Sequence, residues 1–222
     1  MRKIKRRLPK PYYETPLGKL YHGDCLEIMP YLEPVDLVLT DPPYPDYHTE
    51  TYKYDPEKIQ YLVNFNCLQL IFWTSKEPFL LDYTAIHIWD KKTGCGSEYE
   101  RIFERNGNKN FKVFRQYLIN STVAALFCGD DFTGHKSQKP KILIINLLQY
   151  SKKTGLVLDP FLGSGTTAIA CERLKRKWIG IEIEEKYCEI AAKRIEREVK
   201  LLDSGFFGRD SCKIKAKQKG FF

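Results

Sequence analysis

The feature that most constrains the fold is a succession of strand, turn and helix in the last third of the sequence. Apolar residues Leu156–Leu158 predict a buried strand, which leads into Asp159-Pro160-Phe161-Leu162-Gly163-Ser164-Gly165-Thr166-Thr167, here called the Gly-rich turn. The hydrophobic pattern then predicts helix Thr166–Lys175, strand Trp178–Ile183 and helix Glu185–Leu202. Strands joined through a helix in this way run parallel. The segment therefore predicts an α/β fold, with a mostly parallel sheet and helices on both faces.

Further segments extend this pattern toward the N-terminus. Short apolar runs predict strands at Val35–Thr40, Leu70–Trp73 and Ile86–Trp89, and Lys141–Ser151 has the apolar spacing of a helix that starts after Pro140. A length of 222 residues favours one domain or one domain with a modest insertion. No apolar run approaches the roughly 20 residues of a membrane helix. The basic start is not followed by the apolar stretch of a secretory signal.

Positive charge is concentrated at the two ends of the chain. Residues 1–10 carry six basic residues and no acidic one, and residues 209–222 carry five basic residues and one acidic residue. The formal charge of +8 therefore comes from the ends, and the sequence between them is nearly neutral. Basic tails can bind phosphate without reading a base sequence, or they can be solvated ends, so charge alone does not establish nucleic-acid binding.

The Gly-rich turn has the features of an anion-binding cradle. Gly163 and Gly165 allow a tight turn and a close approach to the backbone, and the helix that follows offers free amide groups. This suits a carboxylate or a phosphate, and Thr166 and Thr167 add hydroxyl groups. Glu182 falls near the end of the next strand, where doubly wound folds place an acid on a ribose diol. An ordinary tight turn with a surface glutamate stays open as the alternative.

The residues around this turn also limit the kind of cofactor. No Gly-Lys-Ser/Thr follows the turn, so nothing stands ready for the terminal phosphates and magnesium of a nucleotide. An adenosine-containing cofactor with one amino-acid carboxylate fits better than a triphosphate. The seven cysteines include no C-x-x-C pair and none at metal-ligand spacing with a histidine, so no zinc site or redox motif is predicted.

A second motif, Asp41-Pro42-Pro43-Tyr44, stands at the carboxyl end of strand Val35–Thr40 and is here called the Asp-Pro-Pro-Tyr motif. Two prolines fix the backbone and remove donors, so their carbonyl groups can serve as acceptors. With the Asp41 carboxylate and the flat Tyr44 ring, the motif predicts a receptor for a planar ring that bears an amino group. A rigid turn with the tyrosine packed inward stays open. Both motifs follow strands at the edge where open α/β sheets bind ligands.

The two motifs together resemble the hallmark of the amino-group DNA methyltransferases that use S-adenosylmethionine. Their order, with Asp-Pro-Pro-Tyr first, resembles the circularly permuted β group of that family. Three further segments support the resemblance: Gly23-Asp24-Cys25-Leu26-Glu27, His135-Lys136-Ser137-Gln138-Lys139-Pro140, and Ile179-Gly180-Ile181-Glu182-Ile183 followed by Tyr187. Lys136 and Ser137 replace the usual Pro-Thr of the family. The match covers roughly residues 17–202 and implies a Rossmann-like methyltransferase fold.

The resemblance implies a role for each matched residue. The implied catalytic residues are Asp41, Pro42, Pro43 and Tyr44. The implied S-adenosylmethionine site contains Asp24, Lys139, Asp159, Phe161, Gly163, Ser164, Gly165, Thr166, Thr167 and Glu182. No metal is expected.

The implied reaction is direct in-line methyl transfer to the exocyclic amino group of a flipped base. In the family, Asp at the first motif position goes mostly with adenine and Ser mostly with cytosine, so Asp41 favours adenine. Cytosine C5 methylation needs a thiolate, typically in a Pro-Cys pair, and no cysteine here follows a proline. The alternatives are cytosine-N4 methylation, an amine of RNA or protein, and a non-catalytic DNA-binding module. Relatives that act on RNA or protein usually begin the motif with Asn.

DNA recognition is expected in Tyr99–Arg115, where basic side chains can reach guanine edges and phosphates. The candidates are Arg101, Arg105, Lys109, Lys112 and Arg115, and a solvated loop and helix face is the alternative. The expected domain limits are a basic tail at 1–16, a catalytic domain at 17–202 with a small target-recognition insertion at about 93–135, and a basic tail at 203–222.

The expected partner is DNA, with no membrane. A second copy of the chain and a cognate restriction nuclease stay open as further partners. The expected location is the cytoplasm of a prokaryotic cell or of an infected host cell.

Overall fold

A single sheet organises the chain. The computed structural model describes residues 8–45, 54–91, 98–108, 110–117, 130–131, 133, 138–152 and 155–204. Within these residues the strands are β1 (Tyr13–Glu14), β2 (Gly18–His22), β3 (Leu37–Thr40), β4 (Leu68–Trp73), β5 (Ala85–Asp90), β6 (Tyr99–Arg105), β7 (Val113–Arg115), β8 (Val157–Asp159) and β9 (Trp178–Glu182). The described helices are α1 (Cys25–Ile28), α2 (Pro56–Gln60), α3 (Lys141–Ser151), α4 (Thr166–Arg173) and α5 (Glu185–Asp203).

The strands lie in the order β1-β2-β9-β8-β3-β4-β6-β5-β7. The five strands from β2 to β4 in this order run parallel to one another, and β1 pairs antiparallel with β2. Strand β6 runs antiparallel to both β4 and β5. The prediction of a mostly parallel sheet is therefore confirmed, and the antiparallel β6 is the feature that the sequence pattern did not indicate.

Helices cover both faces of the sheet, as predicted. Residues of α3, α4 and α5, among them Leu147, Ile169 and Ile195, form one core cluster with the sheet. Residues of α1 and α2, among them Ile28 and Ile59, form a second cluster. Alternate residues of a central strand divide between these clusters, since successive side chains of a strand point to opposite faces. The sheet thus separates two apolar layers.

The predicted element ends are close to the observed ones. Helix α3 begins at Lys141 directly after Pro140, as the sequence indicates. Helix α4 ends at Arg173 instead of Lys175. The reason is that Lys175 adopts a left-handed backbone with φ of 54°, which a continuing helix excludes.

The structure also bears on the expected domain limits. Strand β1, at Tyr13–Glu14, pairs with β2, so ordered structure starts inside the segment expected to be a basic tail. Strands β6 and β7 belong to the main sheet, although both lie within the region 93–135 expected to be an insertion. The rest of that region and most of both basic ends lie outside the described residues.

The topology creates a crevice between β3 and β8, which are parallel neighbours. The chain leaves β8 toward α4 on one face of the sheet and leaves β3 toward α2 on the other. Such a point, where two adjacent strands send their connections to opposite faces, is where open α/β sheets bind ligands. The Gly-rich turn and the Asp-Pro-Pro-Tyr motif flank this crevice.

In the described part of the chain, every helix is too short or too polar to span a lipid bilayer.

Candidate functional site

One hydrogen bond joins the two sequence motifs. The hydroxyl of Thr40, the last residue of β3, donates to Asp159 Oδ1 over 2.7 Å. Asp159 also accepts hydrogen bonds from the Thr167 hydroxyl at 2.7 Å and from the Phe161 amide at 3.1 Å. Burial raises the pKa of Asp159 to about 6 despite these three donors. The buried Asp159 carboxylate therefore ties the Gly-rich turn to the strand end that leads into the Asp-Pro-Pro-Tyr motif.

The raised pKa of Asp159 predicts a pH-dependent cost to stability. Because the folded state holds this proton more tightly than the unfolded chain, stability falls as pH rises from about 4 to about 6 and the cost is constant above that. We expect the free energy of unfolding of the wild type, relative to an Asp159→Asn variant, to decrease by about 2–3 kcal/mol across this window. Urea unfolding at a series of pH values measures it.

The exposed Asp203→Asn variant at the end of α5 is the control for this series, because it removes a surface carboxylate far from the site. A constant difference between wild type and Asp159→Asn from pH 4 to 7 would show that burial does not raise this pKa.

The Gly-rich turn packs tightly against its surroundings. Gly163 and Gly165 have φ of 54° and 87°, a region that glycine enters without strain. A Cβ at Gly165 would lie 2.9 Å from Ala191 Cβ and 3.1 Å from Ala191 Cα, so the close contact with α5 requires glycine. Gly165 also caps α4, whose N-terminus opens beside the crevice. The turn is thus a fixed backbone cradle, as the glycine pattern predicts.

Glu182 ends β9 beside this turn, at the place expected for a ribose-binding acid. Its carboxylate accepts hydrogen bonds from the backbone amides of Gly163 and Glu184, each over 2.8 Å. Burial raises the pKa of Glu182 even though these amides stabilise its charged form. Asp24 follows the neighbouring β2, where it caps α1 through the Leu26 amide and pairs with Lys58 at 2.8 Å. Both acids lie at the carboxyl edge of the sheet, and their contact with a cofactor stays a prediction.

The hydroxyl groups of the turn have partners within the protein, and their contact with a cofactor stays a prediction. Thr166 and Thr167 were expected to offer hydroxyls to a ligand carboxylate. Instead Thr167 donates to the protein's own Asp159, and the oxygens of Ser164 and Thr166 accept from Arg194 at 3.1 and 3.3 Å. These contacts hold the shape of the turn, while the Ser164 and Thr166 hydroxyls keep their own protons for donation to a ligand.

Arg194 of α5 is a residue that sequence reasoning missed. It is buried, and beyond the turn it donates from Nη2 to Asp130 at 3.4 Å and to Asp131 at 3.1 Å. Burial opposes ionisation of Asp131, but the hydrogen bonds and charge of Arg194 prevail and lower the pKa of Asp131 to about 2. The side chain of Gln138 binds both Thr133 and the Asp131 carbonyl. Arg194 thus connects the Gly-rich turn to the segment that precedes α3.

In the Asp-Pro-Pro-Tyr motif the Asp41 carboxylate has two partners. Oδ1 accepts a hydrogen bond from the Tyr44 hydroxyl, and Oδ2 accepts one from Lys139 Nζ at 2.5 Å. The Tyr44 ring contacts Trp73 edge-on, with 5.6 Å between centroids. Burial raises the pKa of Asp41 and outweighs the opposing charge of Lys139. Pro42 is buried beneath the motif, and Pro43 is half-buried.

Lys139, which the resemblance implies for the cofactor site, contacts the Asp-Pro-Pro-Tyr motif in the structure. It was assigned to the cofactor, yet its ammonium group lies on Asp41 and 3.2 Å from Glu100 Oε2. Glu100 was not predicted as a site residue. Because β6 is antiparallel to β4, its first residues reach the same edge of the sheet at which β3 and β8 end. A periodicity that identifies a strand gives no direction, so the sequence offered no signal for Glu100.

Two of the predicted DNA contacts have other partners in the structure. Arg105 is buried, where it donates to the Gln69 side chain at 3.0 Å and to Asp82 at 2.7 Å. Arg101 donates through its guanidinium to the carbonyl groups of Thr74 and Glu77. Both arginines therefore hold the sheet together instead of presenting their side chains to a duplex.

Of the other three predicted DNA contacts, two are exposed in the structure and one is not described. Lys112 is exposed and Arg115 is 70% exposed beside Asp90, so both stay candidates for DNA contact. Lys109 lies outside the described residues. Among the residues that the structure describes, no group of three His, Cys, Asp or Glu side chains could hold a metal ion.

Comparison with known proteins gives the site a context. A sequence model of the N6/N4 methyltransferase family, described as DNA methylase, matches residues 66–193. The Type II methyltransferase M2.DpnII of Streptococcus pneumoniae is 33% identical over 147 residues, which are 60% of this chain and 53% of that protein. M.ScaI of Streptomyces caespitosus is 26% identical over 90% of this chain and 88% of its own length. The chain spans about half the length of M2.DpnII and of M2.LlaDCHI.

Solved structures share the fold. A crystal structure of an M1.HpyAVI–SAM complex matches with a TM-score of 0.57 and 26% identity, over 80% of this chain and 100% of the other. The cytosine-N4-specific PvuII DNA methyltransferase matches with a TM-score of 0.60 over 88% of this chain, and at 16% identity this likeness concerns the fold alone. The predicted fold class is confirmed.

Proposed function

Because the chain belongs to the N6/N4 DNA methylase family, we propose that it transfers a methyl group from S-adenosylmethionine to the exocyclic amino group of adenine in DNA. The observation that carries this proposal is the 2.7 Å hydrogen bond between Thr40 and Asp159, which sets the Asp-Pro-Pro-Tyr motif beside the Gly-rich turn. A methyl donor on the turn and an amine on the motif would meet across one crevice.

The chemistry of the Gly-rich turn fits S-adenosylmethionine. The glycines expose backbone amides at the start of α4, which suit the carboxylate of the cofactor. Glu182 is held by two amides and keeps further lone pairs for ribose hydroxyls. We assign Asp24 and Phe161, which lie along the same edge, to the adenine side. When bound, the cofactor supplies a methyl group on a positively charged sulfur.

The transfer needs no covalent enzyme intermediate. The amine lone pair forms the new N–C bond while the C–S bond breaks, its electrons stay on sulfur, and the amine loses one proton to solvent. Asp41 accepts a hydrogen bond from one N–H group, and the carbonyl of Pro42 or Pro43 accepts from the other. These contacts favour a pyramidal, more nucleophilic nitrogen. In-line positioning can lower the barrier by up to roughly 7–11 kcal/mol.

The target base must leave the duplex to reach this crevice. Tyr44 offers a ring for stacking, and its edge-on contact with Trp73 holds that ring in place. Stacking on an aromatic side chain contributes roughly 1–3 kcal/mol per base, which offsets part of the unstacking cost. Lys112 and Arg115, which are exposed, are the remaining candidates for contacts with the DNA backbone or base edges.

Radiolabelled methyl transfer tests the proposal. The protein, labelled S-adenosylmethionine and unmethylated DNA are incubated with competing RNA, and the DNA is digested to nucleosides. We expect label only in N6-methyl-2′-deoxyadenosine from the DNA, and none in the RNA. Label in N4-methylcytosine would show that the amino group of cytosine, and not that of adenine, accepts the methyl group. If calorimetry shows no saturable heat with S-adenosylmethionine and no label enters DNA, the chain is a non-catalytic DNA-binding module and the proposal is wrong.

We further propose that the chain belongs to the circularly permuted β group of its family. The β-group assignment rests on the order of the two motifs in the sequence. We also propose that the enzyme acts in the cytoplasm of a prokaryotic cell or of an infected host cell. A second copy of the chain and a restriction nuclease stay open as partners.

A further inference from the structure

A buried lysine lies against the carboxylate that receives the substrate amine in the proposed reaction. Lys139 Nζ is 2.5 Å from Asp41 Oδ2 and 3.2 Å from Glu100 Oε2. The rings of Phe72 and Trp89 lie 5.0 and 5.8 Å from the same ammonium group. Burying an unpaired charge is costly, so this ammonium group is stable here only because two carboxylates and two ring faces surround it.

Glu100 is itself fixed in place. Lys91, which follows β5, lies 2.9 Å from Glu100 Oε1, and the side chains of both residues are 15% exposed. Burial raises the pKa of Glu100, but Lys139 and Lys91 prevail and lower it. The cluster therefore contains two carboxylates and two ammonium groups, and its charges balance. Glu100 is thus a second, fixed carboxylate partner of Lys139 beside Asp41.

We propose that Lys139, positioned by Glu100, is the counter-charge that keeps the buried Asp41 carboxylate ionised, so that it can accept the hydrogen bond of the substrate amine. The inference rests on the role proposed for Asp41 above. Burial favours the neutral acid, which carries a proton on one oxygen and loses acceptor capacity. The ionised carboxylate has about four lone-pair sites, so it can hold Tyr44 and Lys139 and still accept an N–H group.

The charged groups that face Asp41 from the surrounding elements predict the direction in which its pKa changes when each charge is removed. Burial raises the pKa of Asp41, Lys139 before α3 lowers it, and Glu100 on β6 raises it. Tyr44, on the same loop as Asp41, stabilises the charged form through its hydrogen bond. Asp159 at the end of β8 adds a further negative charge nearby. Removing the charge of Lys139 should therefore raise the pKa of Asp41, whereas removing the charge of Glu100 should lower it.

Nuclear magnetic resonance of protein labelled with ¹³C at aspartate side chains tests these directions without any methyl transfer. The Asp41 signal is assigned by its loss in Asp41→Asn. We expect its titration midpoint to move to higher pH in Lys139→Met and to lower pH in Glu100→Gln. Lys139→Arg keeps the charge and should stay near the wild type. Midpoints that do not move, or that move in the same direction in both variants, would overturn the proposal.

The pH profile of kcat/KM for methyl transfer gives the functional readout. The acidic limb of each variant's profile should shift with its Asp41 midpoint. Below that midpoint kcat/KM should fall about tenfold per pH unit, as a single ionisation requires. Lys139→Met should thus regain activity at higher pH. An equal loss at every pH would mean that Lys139 is only structural. The matched controls are Lys200→Met and Glu196→Gln, a surface ion pair of 2.7 Å on α5, which should leave the profile unchanged.

The Asp41 titration and the methyl-transfer profile distinguish the electrostatic role of Lys139 from the proposed function. If the wild type transfers no methyl group at any pH while the Asp41 midpoint shifts in both expected directions, the proposed function fails and the electrostatic role of Lys139 stands.

Discussion

Replacing Asp41 by alanine should reduce kcat for methyl transfer by about 10²–10³-fold, the loss typical of one preorganised polar contact in a reaction centre. The affinity for S-adenosylmethionine should not change, because the Gly-rich turn and Glu182 do not contact Asp41 directly. The fold should also persist, since Lys139 keeps Glu100 as a partner at 3.2 Å. Single-turnover kinetics and calorimetry with S-adenosylmethionine measure the two properties separately.

Asp41→Asn is the matched variant for this experiment. It keeps one acceptor oxygen but loses the charge, so its kcat should lie between those of the wild type and Asp41→Ala. Full activity of the alanine variant would refute the acceptor role of Asp41. A parallel loss of cofactor affinity would show that the residue belongs to the cofactor site.

The second large effect is expected at Arg194. An Arg194→Met variant should lose about 3–5 kcal/mol of unfolding free energy, because it removes the buried cation that Asp130 and Asp131 share. Asp130 and Asp131 both depend on this guanidinium, and the Ser164 carbonyl of the Gly-rich turn accepts from it at 2.5 Å. Since the turn loses this support, the affinity for S-adenosylmethionine should fall as well. Urea unfolding and calorimetry measure the two effects.

The same helix supplies the control. Arg197 lies one turn from Arg194 and also contacts Asp131, at 3.1 Å, but its side chain is 61% exposed. An exposed ion pair contributes about 0–1 kcal/mol, so Arg197→Met should be nearly neutral. Equal losses in the two variants would mean that burial of the Arg194 network does not determine its contribution. Unchanged cofactor affinity in Arg194→Met would show that the Arg194 network does not support cofactor binding by the Gly-rich turn.

Local sequence patterns predicted the elements that flank the site. The run Lys141–Ser151 forms helix α3 with the predicted ends, because proline starts it and apolar residues recur along its buried face. The Gly-rich turn likewise lies between β8 and α4, since only glycine tolerates the φ of 87° at Gly165 next to Ala191. Both cases depend on backbone chemistry within a few residues, which a single sequence records.

Contacts across the sheet could not be predicted in the same way. The charge pattern of Tyr99–Arg115 indicated an exposed recognition segment, but β6 lies inside the sheet and buries Arg105 against Asp82 and Gln69. Glu100 and Arg194 join the site only through strand direction and helix packing. Their partners are distant in sequence, so neither spacing nor composition indicates that they meet.

The most direct test of the proposed function is the modified-base content of DNA from a methylation-free host that expresses this chain. We expect N6-methyladenine at one recurring sequence in cells with the wild type and none in cells with Asp41→Ala. N4-methylcytosine in its place would correct the choice of base. DNA without any methylated base, from cells that contain folded protein able to bind S-adenosylmethionine, would contradict the claim that the Asp-Pro-Pro-Tyr motif and the Gly-rich turn form one methyl-transfer site.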